Sequence, residues 1–188
     1  EALSKSVQQL TALGEVGQAI SSSLDIEKVL KTVVTRAVRL TGLDGGVIYE
    51  YDPLSERFQL RASKNFDEQS VRGLRGASLR VGEGAVGGCV AAREPIQVPD
   101  THAPDYPVRL RELLEREGFR ALLAVPLLRE DQIIGALLML RKEPGPFTDH
   151  HVQLLKTFAD QAVIAIENVR LFNETQEALQ RQTASADI

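Results

Sequence analysis

Residues able to do chemistry cluster in the middle of the chain. Gly82-Glu83-Gly84-Ala85-Val86-Gly87 has the G-x-G-x-x-G spacing, in which glycines opening a helix leave backbone N–H groups free to receive an anionic group. A dinucleotide site also requires a βαβ unit with a long crossover helix. Here only a three-residue strand, expected at 79–81, runs into the glycines, and no crossover follows. The loop is therefore either a tight turn or a simple anion cradle. Cys89, the sole cysteine, excludes an intrachain disulfide and an all-cysteine metal site. It reads as a small buried apolar residue or, paired with His102, as a thiolate nucleophile. Asp100, His102, Asp105 and Tyr106 lie on a loop punctuated by Pro99, Pro104 and Pro107, where they would either read a ligand or tie the loop down. His150 and His151 are neighbours about 100° apart on a helix, so they form no metal pair, and no metal site is expected.

The elements that must position these residues follow from periodicity. Leu155, Phe158, Ala162, Ala165, Val169, Phe172 and Leu179 recur at steps of three and four, with Gln176 in the same phase, as in a coiled-coil seam. Ala159, Val163 and Ile166 widen the stripe in its first half, so the helix should lie on a core there and project from it later. Thr148 is the expected N-cap, and from 148 to 181 the helix would span about 50 Å. Leu3, Val7 and Leu10 give a first helix over 2–22 the same stepping, with Gly14 and Gly17 on its seam. A second helix is expected between Asp25, as cap, and Gly42. The period then changes to two. Strands at 47–51 and 57–63 flank the turn Asp52-Pro53-Leu54-Ser55, and a small helix at 85–92 precedes a strand at 96–98. A short helix at 108–117 leads to two apolar strands, 120–128 and 132–141, that belong in a sheet centre. This order gives an α+β sandwich, with terminal helices on one sheet face and the broken middle section covering a pocket on the other.

Bulk composition narrows the classes. The 188 residues, 43% hydrophobic and 26% charged, suit one domain with a helical extension, and a net charge of −4 removes the basic footprint of non-specific nucleic-acid binding. No apolar run approaches the length of a membrane span, and one cysteine suits a reducing cytoplasm. A chain that begins at Glu1 and ends in a helix without a stop signal reads as a fragment of a longer protein.

Several ordered blocks then carry a resemblance. Gly82 to Gly87, Pro95-Ile96-Gln97-Val98-Pro99-Asp100, Gly118-Phe119-Arg120 leading to Val125-Pro126-Leu127, Ile134-Gly135, Pro146-Phe147-Thr148, Ala159-Asp160-Gln161-Ala162 and Ala165-Ile166-Glu167-Asn168 resemble a GAF domain of the kind found in bacterial sensor histidine kinases. The resemblance implies an antiparallel sheet of about six strands with helices on both faces, a pocket under the middle segment and dimerisation through the terminal helices. It implies no particular ligand. The dispersed motif of cyclic-nucleotide GAF domains is not met, since Arg141-Lys142, Phe147 and His151-Val152 stand where an acidic pair would be needed. Cys89 is followed by Val90, whereas bilin-binding members place a histidine beside the chromophore cysteine. One cysteine is also too few for sulfoxide-reductase turnover on this fold.

The expected function is a regulatory, non-catalytic module that senses a small molecule and dimerises, upstream of an effector such as a histidine kinase in the same cytoplasmic chain. Two alternatives stand beside it: a cysteine-dependent redox enzyme on a GAF fold, and a ligand-free dimerising spacer. The expected layout is a signalling helix at 1–22, a sensory domain at 23–172 and the start of a coiled-coil connector at 173–188. Candidate ligand-binding residues are Gly84, Val86, Gly87, Cys89, Val98, Asp100, His102, Tyr106 and Leu110. Candidate dimer-seam residues are Leu3, Val7, Leu10, Leu155, Phe158, Ala162, Ala165, Val169, Phe172 and Leu179. The ligand is unspecified, no cofactor is named, and neither nucleic acid nor membrane is an expected partner.

Overall fold

The computed structural model describes residues 23–104 and 110–186. The expected first helix with Leu3, Val7 and Leu10, and the loop residues Asp105 and Tyr106, lie outside them. Helix α1 (Ser23–Thr41) buries Ile26, Leu30, Val34 and Ala37 at helical spacing. It closes at Gly42, whose φ of +72° lets its N–H reach the Val38 carbonyl at 3.0 Å. Asp25 lies inside this helix, two residues after Ser23, rather than at its cap.

The hairpin β1 (Gly45–Asp52) and β2 (Arg57–Lys64) turns on Asp52. Its side chain accepts from the Leu54 N–H at 3.1 Å and from the Ser55 hydroxyl at 2.9 Å. Helix α2 (Glu68–Gly76) follows, capped by Asp67, and then α3 (Gly84–Ala92), the short strand β3 (Ile96–Val98) and helix α4 (Arg111–Glu117). Strands β4 (Ala121–Arg129) and β5 (Gln132–Arg141) are joined through Glu130 and Asp131, with Glu130 at φ +55°. The chain then enters the long helix α5 (Asp149–Ala186).

Five antiparallel strands form one sheet in the order β2-β1-β5-β4-β3. The sixth strand expected at 79–81 does not form. Leu79 supplies one rung only, accepting from the Phe58 N–H at 3.0 Å on the free edge of β2. Elsewhere on that edge the Leu60 carbonyl accepts from Arg75 and the Ser63 carbonyl from Lys31. Charged side chains thus occupy acceptors that an intruding strand would use.

Both sheet faces are covered. On one, Ile48, Leu123, Val125, Leu137 and Met139 pack against α1 and the first half of α5. On the other, Val47, Tyr49, Leu122, Leu138 and Leu140 lie under α2, α3 and α4. Helix α5 starts at Thr148, whose hydroxyl accepts from the His151 N–H at 3.1 Å. Leu155, Phe158, Ala162, Ala165 and Val169 are buried in this chain's own core, whereas every described side chain from 173 to 182 is exposed. The first half of the seam is therefore already occupied within one chain.

Candidate functional site

The site is a cavity between the sheet and its second layer. Tyr49 of β1, Leu122 of β4, and Leu138 and Leu140 of β5 form the floor. Phe66, Leu74 of α2 and Leu79 close one side, Glu83 to Val86 at the start of α3 another, and Leu110 and Leu114 of the α4 region a third. The room for centres of water molecules is about 40 Å³. That accommodates about three such centres, which suits a small molecule and not a nucleotide.

Two features of the backbone aim Tyr49 into this layer. In the pairing of β1 with β2, Ile48 opposes Ala62 and Tyr49 opposes Leu60, so Arg61 is bulged out opposite the step. On the other flank of β1, Gly135 approaches so closely that a methyl group on it would lie 2.0 Å from the Tyr49 carbonyl oxygen. The Tyr49 ring meets Phe58 edge-on at 6.5 Å. Its side chain is buried, and its hydroxyl has no hydrogen-bond partner among the described residues. Burial pushes the phenol pKa upward, so it stays neutral.

The glycine-rich segment behaves as a turn. The Gly82 N–H donates to the Gly87 carbonyl at 2.9 Å, and a Cβ on Gly87 would lie 2.1 Å from the Arg80 oxygen. Only glycine fits that approach, which packs the turn against α3 rather than against a ligand. Gly84 and Val86 line the cavity, as does Leu110; Gly87 does not. Cys89 and Val98 are buried beside the cavity without lining it. The Cys89 thiol lies 3.2 Å from the Val86 carbonyl, and burial pushes its pKa up to about 12. A thiol so held is no nucleophile.

Asp100 and His102 are drawn together away from the cavity lining. Asp100 accepts from the His102 N–H at 2.9 Å and from Arg120 Nη2 at 3.0 Å, the first contact more than the second holding its carboxyl below the usual range. His102 Nε2 stands 3.6 Å from Glu115, and Thr101 between them is fully buried, its N–H on the Arg120 carbonyl at 2.8 Å. These contacts tie the loop to β4. A parallel tie holds the other side of the cover. Asp67 accepts from the Ser70 N–H at 2.7 Å and pairs with Arg116 at 3.0 Å, while Glu117 accepts from the Asp67 N–H at 3.2 Å. Helices α2 and α4 are thus clamped over the cavity.

The sequence reading missed Tyr49, Phe66, Leu74, Leu79, Leu114, Leu122, Leu138 and Leu140. Their signal was ordinary strand or helix burial, which says that a side chain is inside and not that space is left beside it. Among the described residues no group of three His, Cys, Asp or Glu is placed to hold a metal, and no helix is long and apolar enough to cross a membrane.

Comparison with known proteins agrees with this architecture. The family model of the GAF domain matches residues 25–166, well over half of the chain. The GAF domain of a phosphoenolpyruvate-protein phosphotransferase from Coxiella burnetii superposes with a TM-score of 0.69 at 24% identity, covering 89% of this chain and 96% of that one. A domain of a protein described as a two-component sensor histidine kinase from Sinorhizobium meliloti 1021 superposes at 0.65 and 22% identity, covering 80% and 96%. Among curated proteins, the peroxide stress-activated histidine kinase mak3 of Schizosaccharomyces pombe is 23% identical over 94% of this chain. The chain spans only 8% of that kinase's length.

Proposed function

Given that the chain belongs to the GAF domain family, we propose that it is the non-catalytic sensing and dimerisation module of a longer cytoplasmic signal-transduction protein, with a histidine kinase as effector. The observation that carries this reading is that one sheet serves two layers. Strands β1, β4 and β5 floor the cavity with Tyr49, Leu122 and Leu138, and their alternate residues Ile48, Leu123 and Leu137 pack against α1 and α5. A ligand that changes the packing of the cover changes the surface on which α5 rests, and α5 continues past the core as an exposed helix. The layout is then 1–22 as signalling helix, 23–172 as sensory domain and 173–188 as connector. The same scheme makes the module a homodimer through its terminal helices.

Because Leu155, Phe158, Ala162, Ala165 and Val169 are already buried, a partner copy would meet what α5 leaves exposed. Ile164 and Leu171 are seven residues apart, 44% and 51% exposed, and Leu179 is 52% exposed. Sedimentation of the chain at tens of micromolar tests this. A dimer that Leu171→Glu dissociates supports the reading, and a monomer in the parent chain refutes its dimeric part. The cytoplasmic placement fits a single free thiol. One observation favours the spacer as second reading, namely the narrowness of the cavity, and ligand titration separates the two. Nothing in the site favours the redox enzyme, whose only thiol is buried and protonated.

A further inference from the structure

Tyr49 says what the cavity would hold. The residue is 1% exposed and lines the cavity, and its hydroxyl lacks a partner among the described residues. A buried hydroxyl left unpaired is costly, so the position calls for an acceptor that no described residue provides. Water is a poor occupant because it needs two to four polar partners, and apart from Tyr49 and Glu83 the lining side chains are hydrocarbon. A simple cation gives the Tyr49 hydroxyl no acceptor, and an anion is a poor occupant as well. No Lys, Arg or His lines the cavity among the described residues, Glu83 sets an acid in its wall, and burying a charge without a counter-charge is unfavourable.

Resting on the sensing reading above, we propose that this cavity receives a small uncharged molecule, an apolar ring or short chain bearing one acceptor oxygen, which takes a hydrogen bond from the Tyr49 hydroxyl. The apolar body meets Leu74, Leu114, Leu122 and Leu138, which supply affinity without direction. The single O–H supplies orientation. The ligand's oxygen replaces no bond made by the described residues, so binding satisfies a group that they leave unpaired.

The test is titration of the 188-residue chain with three probes of similar size: cyclohexanone, methylcyclohexane and cyclobutanecarboxylate. Calorimetry and amide chemical shifts report binding. The ketone is expected to bind at the amides of 84–86, at least fivefold more tightly than the hydrocarbon, and the carboxylate not at all. Tyr49→Phe should weaken the ketone about fivefold and leave the hydrocarbon unchanged, as expected for one neutral hydrogen bond. Failure of the ketone to bind at millimolar concentration, carboxylate binding equal to the ketone's, or an unchanged ketone affinity in Tyr49→Phe overturns the proposal. The ranking of probes on the parent chain does not depend on any variant folding. Binding that leaves the dimer and its terminal helices unaltered would count against the sensing reading alone.

Discussion

A methyl group placed on Gly135 would lie 2.0 Å from the backbone oxygen of Tyr49 and 3.0 Å from its carbonyl carbon. The central strand β5 and the strand carrying the cavity's one polar floor residue thus meet where a side chain has no room. Neither atom is the end of a flexible side chain, so Gly135→Ala must push β1 and β5 apart. A loss of about 3 kcal/mol, at the upper end for overpacking, is expected in chemical denaturation. A change below about 0.5 kcal/mol would mean that the two strands are less tightly apposed.

Tyr49→Phe should move stability the other way. The hydroxyl is buried without a partner among the described residues, and removing it keeps the ring and its edge contact with Phe58. Relief of an unpaired buried group is worth about 1 kcal/mol or more, so the variant's urea midpoint should rise. A fall in the midpoint would show that the hydroxyl is already satisfied in the ligand-free fold.

Cys89 should be chemically silent in the native state. With its pKa held near 12 by burial, only about one thiol in ten thousand is ionised at pH 8. Modification by Ellman's reagent should therefore proceed no faster than unfolding. The same shift has a stability consequence. The unfolded thiol ionises near its ordinary value of 9.0 while the folded one stays protonated, so this contribution is full below pH 9 and lost as pH rises toward 12. Denaturation midpoints should fall over that window and fall less in Cys89→Ala.

On the acid side the cover is the sensitive part. The Ser70 backbone N–H, with a smaller contribution from Arg116, holds the Asp67 carboxyl below its usual range. The His102 backbone N–H, followed by Arg120, does the same for Asp100. Groups with depressed folded pKa values contribute stability that is present above about pH 3.9, the ordinary aspartate value, and lost as pH falls through their folded values. Hydrogen exchange at falling pH should therefore release α2, α4 and the 99–104 loop before the central strands. Asp67→Asn and Asp100→Asn should each remove part of the pH dependence.

Where one sequence signal determined one element, the sequence was readable. Strand β5 spans 132–141 and β3 spans 96–98 as alternation and flanking turns require, and Thr148 caps α5. Helix α2 escaped because only Val71 and Leu74 mark its apolar side; Asp67 followed three residues later by Ser70 was its one capping signal. The strand expected at 79–81 was lost because a single rung to Phe58 is not a ladder. The cavity was less readable still. Asp100 and His102 suggested a ligand because they are polar and on a loop, yet Arg120, twenty residues away, and Glu115 engage them instead. Most of the residues that do line the space are leucines from five separate segments, and free volume among them depends on how those segments pack.

Near the β4–β5 turn, one ionic contact between sheet and helix is open to measurement. Arg129, the last residue of β4, donates to Glu167 of α5 at 2.8 Å, and Arg170 stands 3.3 Å from the other carboxylate oxygen. The Glu167 side chain is 11% exposed and that of Arg129 51% exposed, so the pair lies between a surface ion pair and a buried one. A double-mutant cycle with Arg129→Ala and Glu167→Gln should give a coupling of about 1 kcal/mol, reduced in 1 M salt because half of the arginine is in water. If the hairpin steers α5 through this contact, Arg129→Ala should also speed amide exchange around 163–170 without disturbing ketone binding under α3. A coupling near zero would leave the apolar core that Leu127 and Ile134 share with Ala162 and Ile166 as the link between sheet and helix.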